Sequence, residues 1–249
     1  MSILNFSENW DGVTPPAIPA GWNVSAQLTT SALGAAHSGP NVLSMSGSAS
    51  TWYYATYGTG DSSAVQFQLT GYMQPLTKTN PASVALLFNG SNTTLDHSTT
   101  SYYQLRIFQT QIVGPPDAGV YLEKVVSGTT TVLTSTSSGM SWGVWYAVQI
   151  QGQTSGSNML VTVTISRSSD GFFYNSSGVF QSGFANWLTS YSISSALTMG
   201  TYGYAGYSAN GTGIYFDDFS ILTSDTTPAF RQLVSVTRLP GAYYLDPFR

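Results

Sequence analysis

Short runs of alternating apolar and polar residues make up most of the chain. Residues 65–70 (VQFQLT) alternate in this way, and residues 103–107 (YQLRI) repeat the pattern. A period of two places successive side chains on opposite faces of a strand. Because turns rich in Gly, Ser, Asn and Pro separate the runs at intervals of about ten residues, the pattern predicts an all-β sandwich or jelly roll.

Longer runs predict two hairpins and one short helical turn. The hairpin strands are expected at 120–126 and 130–136, around Ser127-Gly128-Thr129, and at 145–153 and 159–167, around Thr154-Ser155-Gly156-Ser157. Glycine in such short connections is typical of hairpin turns. The helical turn is expected near 184–192 (FANWLTSYS).

The alternating pattern changes after Leu222, which predicts a sandwich domain at 1–222 and a linker with a C-terminal arm at 223–249. The final segment, 231–249, is too apolar for a solvated tail. It is either an extra strand or cover of the same sandwich, or an arm that docks on a neighbouring subunit, which we favour. The apolar residues that docking would bury are Leu233, Val234, Leu239, Tyr243, Tyr244 and Phe248.

The chain has few charges for its size. Only 7% of its 249 residues are charged, against roughly 25% in ordinary soluble domains, whereas 42% are hydrophobic, which suffices for a sizeable core. Its 7 lysines and arginines are largely scattered and the net charge is −4, which argues against nucleic acid as a partner because phosphate binding needs clustered cations. No stretch approaches the roughly 18 continuous apolar residues of a membrane span.

Cysteine is absent from the sequence, so neither disulfides nor thiolate chemistry is available. The N-terminus lacks the basic start and apolar region of a secretory signal, which predicts synthesis and folding in a cytoplasm. The polar, uncharged composition is nevertheless typical of an extracellular or particle surface. A virion protein released by lysis satisfies both observations, and a leaderless secreted protein does as well.

Three segments, in their order and spacing, resemble the concanavalin A-like jelly rolls, particularly the laminin-G-like and MAM-like groups. They are FSENWDG…PAGW at 6–22, the strands between 120 and 167, and ALTMGTYGYAGYSANGTGIYFDDFSI at 196–221. The resemblance covers residues 3–222 and implies a sandwich whose first and last strands are neighbours. That arrangement would bring Glu8 near Asp217.

The resemblance also implies a structural Ca²⁺ site. In many members a carboxylate of the last strand and groups of the N-terminal segment hold the ion, and these positions match Asp217 and Glu8. Backbone carbonyls of residues 38–40 would complete the shell of about six to eight oxygens. Alternatively, Asp217 accepts backbone N–H groups or pairs with an arginine, and Asp218 is solvated. Since neighbouring side chains of a strand diverge, Asp218 is predicted to face away from Asp217.

The superfamily that this chain resembles includes glycoside hydrolases, and its glucanase branch carries the catalytic acids in a strand motif of the type E-x-D-x-x-E. The glutamates of this chain are Glu8 and Glu123, and no acid lies two or three positions from Glu123. Asp96 and His97 lie beside several serines, but without the strained turn that exposes a nucleophile. No phosphate-binding loop or zinc-ligand spacing is present. The sequence therefore predicts no enzymatic activity and no catalytic residue.

Aromatic residues on the predicted strands offer surfaces on which sugar rings could stack. The candidates for a glycan site or a protein interface are Trp52, Tyr54, Trp142 and Tyr204. The competing explanation is that these rings belong to the core, which is common for alternate aromatics on strands.

Together these features predict a non-enzymatic structural or binding protein of a particle surface. The most specific form is a phage capsid decoration or accessory virion protein that docks through its C-terminal arm. Its partners would be further copies of the chain, other virion proteins and surface glycans. A carbohydrate-binding module or tail-associated adhesin is the first alternative, and an atypical glycoside hydrolase is the second.

Overall fold

The computed structural model describes residues 3–33, 36–45, 49–58, 65–75, 82–95, 97–109, 119–137, 139–198, 200–208 and 213–224. These residues form the strands β1 (Ile3–Glu8), β2 (Trp22–Val24), β3 (Leu28–Ala32), β4 (Asn41–Met45), β5 (Ala49–Gly58), β6 (Gln66–Pro75), β7 (Ala82–Gly90), β8 (Ser101–Gln109), β9 (Gly119–Val126), β10 (Thr129–Thr136), β11 (Tyr146–Ser155), β12 (Asn158–Arg167), β13 (Phe173–Tyr174), β14 (Phe180–Gln181), β15 (Leu188–Ile193), β16 (Thr201–Ser208) and β17 (Ile214–Ser224). The described residues form no helix of the length and apolarity that a membrane span requires.

The strands form two antiparallel sheets that pack face to face. One sheet has ten strands in the order β14-β13-β12-β11-β6-β17-β4-β3, with β1 paired to β17 and β15 paired to β12. The other has seven strands in the order β10-β9-β8-β7-β16-β5-β2. Aromatic side chains fill the space between them: the ring centroids of Phe67 and Phe88 lie 5.5 Å apart, and those of Tyr204 and Phe216 lie 4.7 Å apart. The predicted all-β sandwich is confirmed.

Both predicted hairpins are present, because their turns carry the local signals that specify them. In the β9–β10 hairpin, Ser127 and Gly128 connect the strands with φ of +44° and +84°, the left-handed pair that a two-residue turn requires. In the β11–β12 hairpin, Gly156 has a φ of +63°. The predicted helical turn near 184–192 is wrong. Its second half is strand β15, which gains its hydrogen bonds by pairing with β12.

Strand β17 changes its neighbour halfway along one edge. Its other edge pairs with β6 over almost its whole length. On the first edge, Tyr215 and Phe216 pair with β4, whereas residues 219–224 pair with β1. The first and last strands of the sandwich are therefore neighbours, as predicted. The change of neighbour falls at Asp217 and Asp218, between the segment that leads into β4 and the segment that follows β1.

The predicted C-terminal arm lies outside the described residues, which end at Ser224. This applies to all six of its apolar residues: Leu233, Val234, Leu239, Tyr243, Tyr244 and Phe248. The domain boundary after Leu222 therefore stays a prediction.

Candidate functional site

A bulge in β17 turns Asp217 and Asp218 toward the same segment of the chain. The register of β17 with β6 shifts by one residue between Asp217 and Ser220, which leaves an extra residue in β17. Asp218 has a φ of +46°, a left-handed conformation that aspartate adopts more readily than most residues. The prediction that the two side chains diverge is wrong, because strict alternation holds only in a regular strand.

Both carboxylates bind the residues that lead into β4. Asp217 Oδ2 accepts a hydrogen bond from the Ser38 backbone N–H at 2.9 Å, and Asp217 Oδ1 accepts one from the Asp218 N–H at 2.9 Å. Asp218 accepts hydrogen bonds from Ser38 Oγ at 2.5 Å and His37 Nδ1 at 2.6 Å. The His37 ring stacks on Tyr72 with centroids 3.6 Å apart. Asp217 thus accepts backbone N–H groups, and Asp218 is held by side chains.

A third acid, Asp11, lies in the segment that follows β1, and its charge acts on Asp217. Its Oδ1 accepts a hydrogen bond from the Asn41 backbone N–H at 3.0 Å. Gly39 lies directly against this carboxylate, and a Cβ at that position would be 1.7 Å from Asp11 Oδ2. Gly39 also has a φ of +56°, so both the close approach and the backbone conformation require glycine here.

Electrostatically, the site favours a proton or a cation. Asp217 is fully buried, and burial, with the negative charge of Asp218 as the next cause, raises the pKa of Asp217 to about 8. The hydrogen bonds from Ser38 and Asp218 offset only part of this effect, and the charge of Asp11 adds to it. Within the described residues, no lysine or arginine forms an ion pair with Asp217.

The structure brings together a different set of ligands from the predicted Glu8–Asp217 pair. Glu8 Oε1 turns back to accept a hydrogen bond from the Trp10 backbone N–H at 2.8 Å. Among the described residues, the group whose ligand atoms lie within 4.8 Å of one another consists of His37, Asp217 and Asp218. The sequence did carry two signals for the missed residues: Asp11 belongs to the same FSENWDG motif as Glu8, and His37 directly precedes the predicted 38–40 segment.

The donor types around Asp217 fit a hard cation. Carboxylate oxygens, which Ca²⁺ prefers, come from Asp217 and Asp218, and Asp11 adds negative charge beside them. His37 offers a ring nitrogen, which is a ligand of transition ions rather than of Ca²⁺, and its Nδ1 lies 2.6 Å from Asp218 Oδ2. Asp217 and Asp218 are therefore the residues that would hold Ca²⁺, and the charge of Asp11, rather than that of Glu8, acts on Asp217 from the N-terminal segment.

The four predicted aromatic residues separate into buried and partly exposed rings. Tyr204 is fully buried between the sheets and Tyr54 is 5% exposed, so neither ring presents a face to a ligand at the surface. The prediction that these two rings contact a glycan or a protein partner is therefore wrong. Trp142 is half-buried against the main core. Trp52 is half-buried on the outer face of the seven-stranded sheet, where its ring centroid lies 5.8 Å from that of Tyr207.

Glu123 lies on that outer face as one half of a buried ion pair. Its carboxylate accepts hydrogen bonds from Arg106 Nη2 at 2.5 Å and Arg106 Nε at 2.9 Å, and from Gln104 Nε2 at 2.6 Å. Glu123 is 1% exposed, so no partner acid or attacking water reaches it in this arrangement. His97 Nδ1 lies 3.1 Å from the Tyr102 hydroxyl, and Asp96 is outside the described residues.

Comparison with known proteins identifies the fold. No protein family matches the sequence, and no curated protein matches it either. Among solved structures, peanut lectin is similar over 90% of this chain and 98% of the lectin, with a TM-score of 0.56 and 9% identity. The CBM2 module of the Lactobacillus casei BL23 phage J-1 evolved Dit is similar over 92% of this chain and 100% of the module, with a TM-score of 0.52 and 12% identity.

A xylan beta-1,4-xylosidase from Bacillus halodurans C-125 is also similar over 86% of this chain, with a TM-score of 0.53 and 11% identity. This chain spans only 38% of that enzyme. At these identities the similarities define the class of fold alone. The fold is a concanavalin A-like β-sandwich, as the sequence resemblance implies.

Proposed function

We propose that this chain is a non-enzymatic, carbohydrate-binding β-sandwich. The observation that carries this proposal is the half-buried pair of Trp52 and Tyr207 on the outer face of the seven-stranded sheet. Two rings held on a rigid sheet present an apolar surface to the C–H groups of a sugar at little entropic cost. The similarity in fold to peanut lectin and to a phage CBM2 module supports the proposal by analogy.

The non-enzymatic part of the proposal rests on the state of Glu123. Glycoside hydrolysis needs two carboxyl groups on either side of the scissile bond. Glu123 is neutralised by Arg106, and the pair Asp217 and Asp218 is bound to Ser38 and His37 rather than directed into a cleft. An atypical glycoside hydrolase is therefore the least supported of the three predicted functions.

Replacing Trp52 tests the carbohydrate-binding proposal. We expect the Trp52→Ala variant to bind soluble neutral polysaccharides roughly tenfold more weakly than the wild type, because an aromatic stacking surface is lost. Trp52→Phe should retain part of the affinity. Affinity electrophoresis in gels that contain β-glucan, xylan or galactomannan measures the effect, with Val179→Ala, at another exposed apolar residue, as the control. A wild-type chain that migrates identically in all of these gels contradicts the proposal.

We further propose a place for this chain on a particle surface, as a phage capsid decoration or accessory virion protein. The similarity to a module of a phage Dit protein supports this context. In this proposal the arm at 231–249 buries its apolar residues on a neighbouring copy or on another virion protein, and the sandwich remains free to bind glycans.

We also propose a structural Ca²⁺ ion, held by Asp217 and Asp218 and stabilised by the charge of Asp11. When bound, the ion supplies the positive charge that the buried carboxylate lacks, and it links β17 to the segments next to β1 and β4. Excess EGTA should therefore lower the melting temperature of the wild type and leave that of Asp217→Asn unchanged. Equal melting curves of the wild type with Ca²⁺ and with EGTA would show that no ion is required.

A further inference from the structure

An uncharged cleft lies on the outer face of the ten-stranded sheet, across the sandwich from Trp52. Its volume is about 180 Å³. The floor consists of side chains that alternate with core residues along two paired strands, β11 and β12. The principal lining residues are Gln149, Gln151, Thr162 and Thr164 on the floor, and Phe184 and Asn186 on the wall.

The wall of the cleft is attached firmly to the sheet. Trp187 is 2% exposed and its backbone N–H donates to the Val163 carbonyl at 2.9 Å. A bulge in β15 follows, where Ser190 adopts a φ of +50° and its N–H donates to Thr162 Oγ1 at 3.3 Å. Because these contacts hold the wall in place, the cleft is formed before any ligand arrives, which limits the entropy lost on binding.

The cleft offers uncharged donors and acceptors to a ligand. Gln151 Nε2 donates to Gln68 Oε1 at 3.2 Å, which leaves Gln151 Oε1 as an acceptor. Thr164 Oγ1 donates to Asn186 Oδ1 at 2.7 Å, which leaves the Asn186 amide N–H groups as donors. The Gln149 side chain makes no hydrogen bond within the part of the chain that the structure describes. Amides of both polarities match hydroxyl groups, each of which donates and accepts.

Phe184 adds an apolar surface at the edge of this polar floor. Its side chain is 46% exposed, and its ring rests against Phe173 with centroids 5.2 Å apart at an interplanar angle of 60°. An exposed aromatic ring beside convergent amides suits a molecule with an apolar face and a rim of hydroxyls. Because none of the lining residues carries a charge, an ionic ligand would lose its hydration without gaining a partner.

We propose that this cleft binds a neutral oligosaccharide, with a sugar ring stacked on Phe184 and its hydroxyls hydrogen-bonded to Gln149, Gln151 and Asn186. This second site rests on the carbohydrate-binding function proposed above. It lies on the sheet opposite the one that carries Trp52 and Tyr207, so one chain would hold two sugar chains on its two outer faces.

The test isolates the cleft by removing the first site. In a Trp52→Ala/Tyr207→Ala background, titration calorimetry with soluble xylan, β-glucan and galactomannan should still detect binding. Adding Phe184→Ala should weaken it roughly tenfold, and adding Gln149→Ala should weaken it several-fold. Adding Val179→Ala should leave it unchanged. The affinity should not fall as the salt concentration rises, because no charge takes part.

Distinct outcomes separate the two proposals. Loss of all binding in the Trp52→Ala/Tyr207→Ala background, with the variant still folded by circular dichroism, overturns the second site and leaves the carbohydrate-binding function standing. Binding in that background that is insensitive to both Phe184→Ala and Gln149→Ala also overturns it. A wild-type chain that binds none of the three polysaccharides overturns both proposals.

Discussion

Asp217 is a fully buried carboxyl group, and the charges of two further acids, Asp218 and Asp11, act on it. Within the described residues, no lysine or arginine forms an ion pair with it. Two backbone N–H groups favour its ionised form, but burial outweighs them and raises the pKa of Asp217 to about 8. Without a bound cation, the folded chain therefore keeps a proton that the unfolded chain releases near the ordinary value of 3.8. This single residue links the stability of the sandwich to pH.

The sign of this linkage gives a prediction. Between 3.8 and about 8, the folded chain binds the Asp217 proton and the unfolded chain does not, so the free energy of unfolding falls as the pH rises. In EGTA, the wild type should be less stable at about pH 8 than at about pH 5, and this difference should shrink in Asp217→Asn. Urea denaturation at both pH values measures it. An equal pH dependence in the two proteins would assign the effect to other groups.

Part of this site could be predicted from residues alone. At least one of the two acids in the apolar run GIYFDDFSIL must be satisfied by specific partners, and the family resemblance then implied Asp217 as the residue concerned. His37 and Asp11 lie next to residues that the sequence did single out, but their approach to Asp217 depends on the change of strand neighbour along β17, which no local signal reveals. Tyr204 was misassigned for a related reason: alternation alone does not tell which face of a strand is buried.

At the scale of elements, two strand irregularities form two of the three candidate sites. The bulge in β17 brings two carboxylates together, and the bulge in β15 shapes the wall of the cleft that contains Phe184. The strands and hairpins were predictable because alternation and glycine turns are local signals. The bulges were not, because a bulge depends on which neighbouring strand a residue pairs with.

The left-handed conformation of Asp218 allows a test of the β17 bulge. Valine is branched at Cβ and is strained at a φ of +46°, and it also loses the hydrogen bonds to Ser38 and His37. Asp218→Val should therefore lower the free energy of unfolding by about 2 to 4 kcal/mol, whereas Asp218→Asn should cost clearly less. Urea denaturation of both variants measures the difference. Similar losses would mean that the backbone conformation contributes little.

At the scale of the whole molecule, the described core is formed by residues from both sheets. The residues buried between the sheets extend from Trp10 to Ile221, and β1 already covers the second half of β17. The fold class was predictable from the whole pattern, since many short alternating strands at even spacing specify a sandwich. The sheet order was not, because the pairs that β16 and β17 make with β1, β4, β5, β6 and β7 join segments that are distant in sequence.

Deleting residues 231–249 tests the role of the proposed arm. We expect the truncated chain to keep its cooperative unfolding and nearly its full melting temperature, because the described core residues lie between Trp10 and Ile221. It should lose the ability to associate with further copies or with a partner protein, measured by size-exclusion chromatography with light scattering. Unfolding of the truncated chain would assign the segment to the sandwich, and unchanged association would remove its docking role.

The position of β17 has a consequence for how the chain is made. The last described strand lies in the middle of the ten-stranded sheet, between β6 on one side and β4 and β1 on the other. Until residues 214–224 leave the ribosome, β6 is paired only with β11 and β4 only with β3, so each has one unpaired edge. Such distant pairing is slow to form, so these two strand edges stay open to aggregation in the nascent chain until β17 has been made.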